Sequence, residues 1–234
     1  MLCYASRPPD PELVGDSWRD TWLHRLNTQP FPLSIWLAHQ RKDDYWKHGS
    51  ISENYGAIDI PALVISGWAD GYINAPPAAA GHLGNAKSVN GPWIHKYPHI
   101  AAPEPRMDFI REALNWWDKW LKGKDNGVEK LPDYRAYILE DAKPLLHHVT
   151  APGRWVAENT LPAGDTRERN YYLAPNRQLL DIPGRTRFKT LSSPQDCGTA
   201  CGEFFTVRPD GELPADQRRD DSGSLVFDSG KLHQ

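Results

Sequence analysis

The chain has 234 residues, and its 27 Lys and Arg against 30 Asp and Glu leave a net charge of −3 with both signs scattered. That balance offers no basic face for nucleic acid or an anionic membrane. A mean hydropathy of −0.64 with no long apolar run argues against a transmembrane helix. Three cysteines are too few for a disulfide framework. Cys197 and Cys201 share a Gly-rich loop while Cys3 is distant, so reduced thiols in a cytoplasmic protein are expected, with neither metal nor cofactor. The first residues, MLCYASRPPDPE, lack a basic stretch followed by an apolar one, and no signal peptide is expected. Ten tryptophans and nine tyrosines suit either aromatic-lined clefts or plain packing.

Residues 1–57 read as helical. Asp16 or Ser17 can cap a helix carrying Trp18, Trp22, Leu23 and Leu26 on one stripe, and Pro30 and Pro32 interrupt it. A second helix is expected over about 33–46, with Ile35, Trp36 and Leu37 before a charged patch and Tyr45 and Trp46 after it. Two such helices do not make a domain alone, so they are expected to cover something. Trp36, Tyr45 and Trp46 then read as core.

Residues 58–123 carry the densest pattern. Residues 62–65 are an apolar run without alternation, which fits a strand covered on both faces. The run meets Ser66, Gly67 and Trp68, and Asp70 follows beside Gly71. Asn74 as cap, Pro76 and Pro77 in the first turn and 78–83 beyond give a helix. A second strand at about 87–90 runs into Gly91, Pro92 and Trp93, with His95 just after. The unit is strand, Asp loop, helix, strand, His loop, and chemistry in parallel sheets collects at such carboxyl ends.

Serine hydrolases of the α/β type order their triad as Ser, then Asp or Glu, then His. Asp70 and His95 fit the last two places. The histidine would move the proton and the carboxylate would fix its tautomer. Plainer readings stand beside this one: Asp70 as a turn former, His95 as a packed loop residue. His99 shares the His95 loop and is the rival base, whereas His82 falls inside the connecting helix. Beyond them a helix at about 106–121 carries Phe109, Ile110, Ala113, Leu114, Trp117, Trp120 and Leu121 as a core stripe, with Gly123 at its C-cap.

Residues 124–234 change character. After the polar linker KGKDNGVEK come short β-prone runs: 134–139, 153–156, 169–173, 204–207 and 224–227. They point to an all-β sandwich or barrel. About five strands are legible where a jelly roll needs about eight.

Three segments resemble the cocaine esterase/X-Pro dipeptidyl-peptidase (S15-like) acyl hydrolases: GWADGY at 67–72, GPWIHKYPH at 91–99 and FIREALNWWDKWLKG at 109–123. The likeness runs from about Asp44 onward. It implies Asp70 and His95 as acid and base, with Trp68, Tyr72 and Trp93 as candidate substrate contacts. The implied fold class is α/β: the C-terminal portion of an α/β-hydrolase sheet, cap helices in 1–57, and a partial jelly roll whose early strands resemble 152–158 and 216–230.

The nucleophile motif G-x-S-x-G is absent, and Ser50, Ser66 and Ser224 are only its nearest imitations. The expectation is therefore a fragment of a serine-dependent acyl hydrolase, inactive alone, acting on a small ester, amide or peptide. For a peptidase, Asp43, Asp44 and Glu53 are the candidates to hold an N-terminal ammonium. Trp-rich helices and an interrupted cap leave apolar surface that suits a homo-oligomer. Two other classes remain: a non-catalytic carbohydrate- or protein-binding module, and metal-dependent hydrolysis by Asp70, His95 and His99, against which Pro98 argues because it breaks a helix there.

Overall fold

A computed structural model describes residues 6–185, 187–203, 205–208 and 210–231; Cys3 and the first residue of the 204–207 strand expectation, Phe204, lie outside them. The chain divides into two units, Met1–Tyr55 and Gly56–Gln234.

In the first unit, α1 (Pro11–Val14) starts on Asp10, whose carboxylate accepts the Glu12 amide. A 3₁₀ turn (Gly15–Ser17) leads into α2 (Trp18–Thr28), where Trp18 stacks on Trp22 with centroids 6.4 Å apart. The expected second helix is two: α3 (Pro32–Ala38) and α4 (Asp44–Lys47). The break has a local cause. Asp43 takes the His39 imidazole on one oxygen at 2.6 Å and the Tyr45 amide on the other at 3.1 Å, which starts a new helix there. Its hydrogen bond with His39 holds the Asp43 carboxyl below its usual range. Trp36 and Trp46 are about two-fifths exposed, and none of the described residues of this unit is buried, so the core reading of these rings is corrected.

The second unit is built on one four-stranded sheet, ordered β1 (Ala62–Ala69), β2 (Ala86–Ile94), β3 (Tyr134–Leu139), β4 (Gly153–Glu158). The β1–β2 and β2–β3 pairs are parallel, and β4 runs antiparallel to β3. Between β1 and β2 the chain forms α5 (Ala75–His82), with Asn74 at its N-cap position and Pro76 in the first turn. Both strands run further than the apolar runs suggest, because Gly67 and Gly91 stay paired within them. These glycines permit a close approach. A Cβ on Gly67 would sit 1.9 Å from the Trp93 carbonyl oxygen, and one on Gly91 would sit 2.4 Å from its indole. Past this pair the register shifts: Ala62 faces Ala86 and Gly67 faces Gly91, but Ala69 faces Ile94. One extra residue on β2 thus brings the two strand ends level.

Three differences from the sequence expectation concern the rest of the unit. Residues 134–139 do not begin a separate sandwich; they form the third strand of the parallel sheet, tied by Lys87 to Asp133 at 2.7 Å and by Tyr134 to Asn90. Beyond β4 the described residues hold one short pair, β5 (Tyr172–Leu173) with β6 (Leu179–Leu180), and the helix α7 (Arg218–Ser222). Residues 205–207 and 224–227 are not strands, and the jelly roll is not seen among the described residues.

The third difference is a helix face. The helix α6 (Phe109–Lys122) starts on Asp108, which accepts the Arg111 amide, and ends at Gly123 in a left-handed conformation. It carries two apolar stripes side by side. Trp116, on the stripe with Phe109 and Ala113, is the buried residue; Ile110, Leu114, Trp117 and Leu121 form the neighbouring stripe and are exposed. Arg135 of β3 grips Glu112 through two guanidinium nitrogens. The core beneath is Val89, Trp93 and Ala101, with Ile65 and Met107 packed against it.

Candidate active site

The level strand ends decide the geometry. Asp70 follows Ala69 and His95 follows Ile94, the last paired positions, so the two residues leave the sheet side by side. The His95 Nδ1 and Asp70 Oδ2 are 2.9 Å apart. The other carboxylate oxygen, Oδ1, accepts the Tyr72 amide at 2.9 Å. This turn bond fixes the carboxylate plane. Asp70 is nearly buried, its side chain 8% exposed, while the His95 side chain is 42% exposed. An ionised carboxylate only accepts, so Nδ1 carries the proton and Nε2 is left as an acceptor. No described residue occupies Nε2 with a hydrogen bond. An open imidazole held in one tautomer by a buried carboxylate can take a proton at Nε2 from a hydroxyl placed there and return it.

The loop carrying Asp70 is anchored from below. Asn90, fully buried on β2, donates through Nδ2 to the Ile73 carbonyl at 3.1 Å and accepts from the Tyr134 hydroxyl at 3.0 Å. Burial pushes the Tyr134 hydroxyl above its ordinary pKa. Beside the dyad lies a cavity of about 940 Å³ walled by Leu63, Ile65, Phe109, Trp116 and Val207, with Asp70 and His95 also on its lining.

Residues 1–97 match the X-Pro dipeptidyl-peptidase (S15) family, and the match takes in both Asp70 and His95. Cocaine esterase from Rhodococcus sp. (strain MB1 Bresler) is 22% identical over 213 residues, covering 86% of this chain and 34% of that protein. The chain is thus similar over its first 97 residues to the S15 peptidases and over most of its length to cocaine esterase. The chain spans about a third of the length of the curated relative it matches. Among solved structures, a CocE/NonD family hydrolase from Staphylococcus aureus aligns with a TM-score of 0.46 at 15% identity, over 70% of this chain and 29% of that one. A second crystal structure of that hydrolase aligns with a TM-score of 0.44 at 17% identity, over 70% and 28%.

The other side chains considered for an S15-type site separate cleanly. Tyr72 is exposed beside the dyad, its ring centroid 5.9 Å from that of His95. Trp68 is turned away from a ligand role, since its indole N–H donates to the Tyr137 carbonyl across the sheet. Trp93 is 1% exposed and donates to the Pro105 carbonyl at 2.8 Å, so it is a core anchor with one edge on the cavity. His99 does not join Asp70; its ring lies nearly parallel to Phe109, and its Nδ1 is buried without a partner. The His82 Nδ1 meets the Ala78 carbonyl one turn back on α5. Among the described residues no group of three or more His, Cys, Asp or Glu could hold a metal. No described helix is long and apolar enough to cross a membrane.

Among the described residues, no serine hydroxyl is hydrogen-bonded to the His95 imidazole. The Ser66 hydroxyl is buried on β1 without a partner, Ser50 bonds Ser52 at 2.7 Å, and Ser224 bonds the Asp220 carbonyl at 2.9 Å. Sequence reasoning missed Phe205. Its ring lies 4.3 Å from that of His95, and no spacing over 110 positions could have signalled it.

Proposed function

We propose that Asp70 and His95 are the acid and base of a Ser-His-Asp acyl hydrolase whose serine is not among the residues of this chain. The observation that carries the reading is the 2.9 Å contact between His95 Nδ1 and a carboxylate already oriented by a backbone amide. In the reaction, Nε2 removes the proton from a serine hydroxyl as that oxygen attacks the acyl carbon. The imidazolium then protonates the leaving alcohol or amine, and Asp70 stabilises it throughout. Water repeats the sequence to release the acid. The oxyanion donors belong with the nucleophile.

An ester or amide acyl group of modest size is the proposed substrate class. A peptidase that selects a free N-terminus needs an unpaired carboxylate for its ammonium. Asp43 is engaged by His39 and Glu53 by Lys42, which leaves Asp44 alone among the three candidates, and that residue is fully exposed with Lys47 at 3.4 Å. The proposed class takes in esters and peptides alike.

The test is fluorophosphonate labelling of the purified chain, read by intact mass, with p-nitrophenyl acetate turnover alongside. The expected result is neither adduct nor turnover. An adduct on any serine of this chain, lost in H95Q, would place the nucleophile here and overturn the assignment.

A further inference from the structure

One hydrogen bond does not fix an imidazole. A ring held only through Nδ1 can still tilt about that bond, and tilting swings Nε2, the atom that must meet the nucleophile, through an arc. Catalytic groups work when that residual freedom is removed by packing. In this chain the restraint comes from far downstream. The Phe205 ring lies against the His95 ring, centroids 4.3 Å apart at an interplanar angle of 39°, and meets the Tyr72 ring edge-on at 5.9 Å. The next residue, Thr206, accepts the His95 backbone amide on its carbonyl at 3.1 Å. Side chain and backbone of His95 are thus both held by adjacent residues.

The holding segment is itself secured. Thr206 is 1% exposed, and its hydroxyl donates to the Arg208 carbonyl at 3.2 Å. The Glu203 amide donates to the Glu212 carbonyl at 2.8 Å, and the Leu213 amide donates to the Leu146 carbonyl at 2.8 Å. Gly211 closes over Thr206 so tightly that a Cβ there would stand 1.6 Å from the Thr206 hydroxyl oxygen.

From these contacts we infer that Phe205 and Thr206 are positioning residues for His95, a strap that holds the imidazole on the Asp70 carboxylate and limits the swing of Nε2. The inference rests on the Asp70–His95 reading above. It makes the region after β4 part of the base's machinery, although that region contributes no strand to the main sheet.

The experiment is proton NMR of the full chain carrying labelled histidine, following the low-field proton on the His95 Nδ1. Wild type is expected to show it, and D70N to lose it. F205A is expected to broaden it beyond detection while the far-ultraviolet circular dichroism is unchanged, and F205L, which keeps an apolar wall, to restore it. Gly211→Ala drives a methyl group into the Thr206 side chain with the Phe205 ring chemically intact, and is expected to lose the same signal; it decides the matter if F205A does not fold. A signal of wild-type width and solvent-exchange rate in F205A, or in Gly211→Ala, would overturn the strap. If wild type lacks the proton and D70N changes nothing, the dyad itself fails, and that outcome is distinct from failure of the strap.

Discussion

Replacing Asn90 by alanine tests how the sheet supports the acid loop. Asn90 is fully buried and makes two hydrogen bonds, one to the Ile73 carbonyl and one from the Tyr134 hydroxyl, and Tyr134 is itself only 8% exposed. The substitution strands the buried Tyr134 hydroxyl and takes a hydrogen bond from the half-buried Ile73 carbonyl. An unsatisfied buried polar group costs about 1–3 kcal/mol and the loss of an ordinary hydrogen bond about 0.5–1.5 kcal/mol, so N90A should lose about 1.5–4.5 kcal/mol. Y134F removes one donor and leaves only the Asn90 oxygen unpaired, for a loss of about 1–3 kcal/mol. In the double variant the tyrosine hydroxyl is gone, so the losses should fall short of their sum by about 0.5–3 kcal/mol, as in other directly bonded pairs. Urea unfolding measures this. With a slope of about 3 kcal/mol per molar, N90A should lower the midpoint by about 0.5–1.5 M. A midpoint within about 0.3 M of wild type, or strict additivity of the two substitutions, would refute the anchoring role.

The remaining predictions address the strand crossing, the core and pH. Gly67→Ala must push β1 away from the Trp93 carbonyl, and a loss at or above the overpacking range of about 1–3 kcal/mol is expected from the same urea titration. Trp93→Ala removes the buried centre of the core and its bond to Pro105, and should cost about 3–5 kcal/mol, with Trp93→Phe milder. Trp68→Phe should cost about 1 kcal/mol through the lost bond to Tyr137, a small shift that thermal unfolding would register. Tyr134 sets a pH limit. Its raised pKa means that the folded state keeps the phenol proton when the unfolded chain has begun to release it. Stability from this group is therefore intact below the ordinary tyrosine pKa, about 10, and declines as pH rises from there through the folded value. Wild type should lose stability above about pH 10 more steeply than Y134F, as equal slopes in alkaline unfolding would disprove.

Residues that speak through near neighbours were legible in the sequence. The apolar run at 62–65, the Gly123 cap and the placing of Asp70 and His95 just past two strands all follow from local chemistry, and the structure shows each in that setting. Contacts across the sheet were not legible. Nothing near Trp68 announces the Tyr137 carbonyl that engages it, and the β-prone run 134–139 reads the same whether it opens a sandwich or extends a parallel sheet. On α6 the two apolar stripes are equally good by period, and the Arg135–Glu112 pair that ties the helix to β3 spans 23 positions that no local pattern links. The break at 39–43 was encoded locally, in a histidine and an aspartate four apart, but reading it required treating Asp43 as a cap rather than as part of a charged patch.

The forked use of the Asp70 carboxylate carries a consequence for its nearest isostere. Because the Tyr72 amide already claims Oδ1, an asparagine at this position has no choice of orientation: its carbonyl must face that amide and its NH₂ must face the imidazole. The imidazole would answer by accepting at Nδ1 and carrying its proton on Nε2. Such a ring is the same size, in the same place, hydrogen-bonded to the same residue, yet it offers a donor where the attacking hydroxyl needs an acceptor. One backbone amide, two residues from the acid, thereby settles which face of a single proton the site presents.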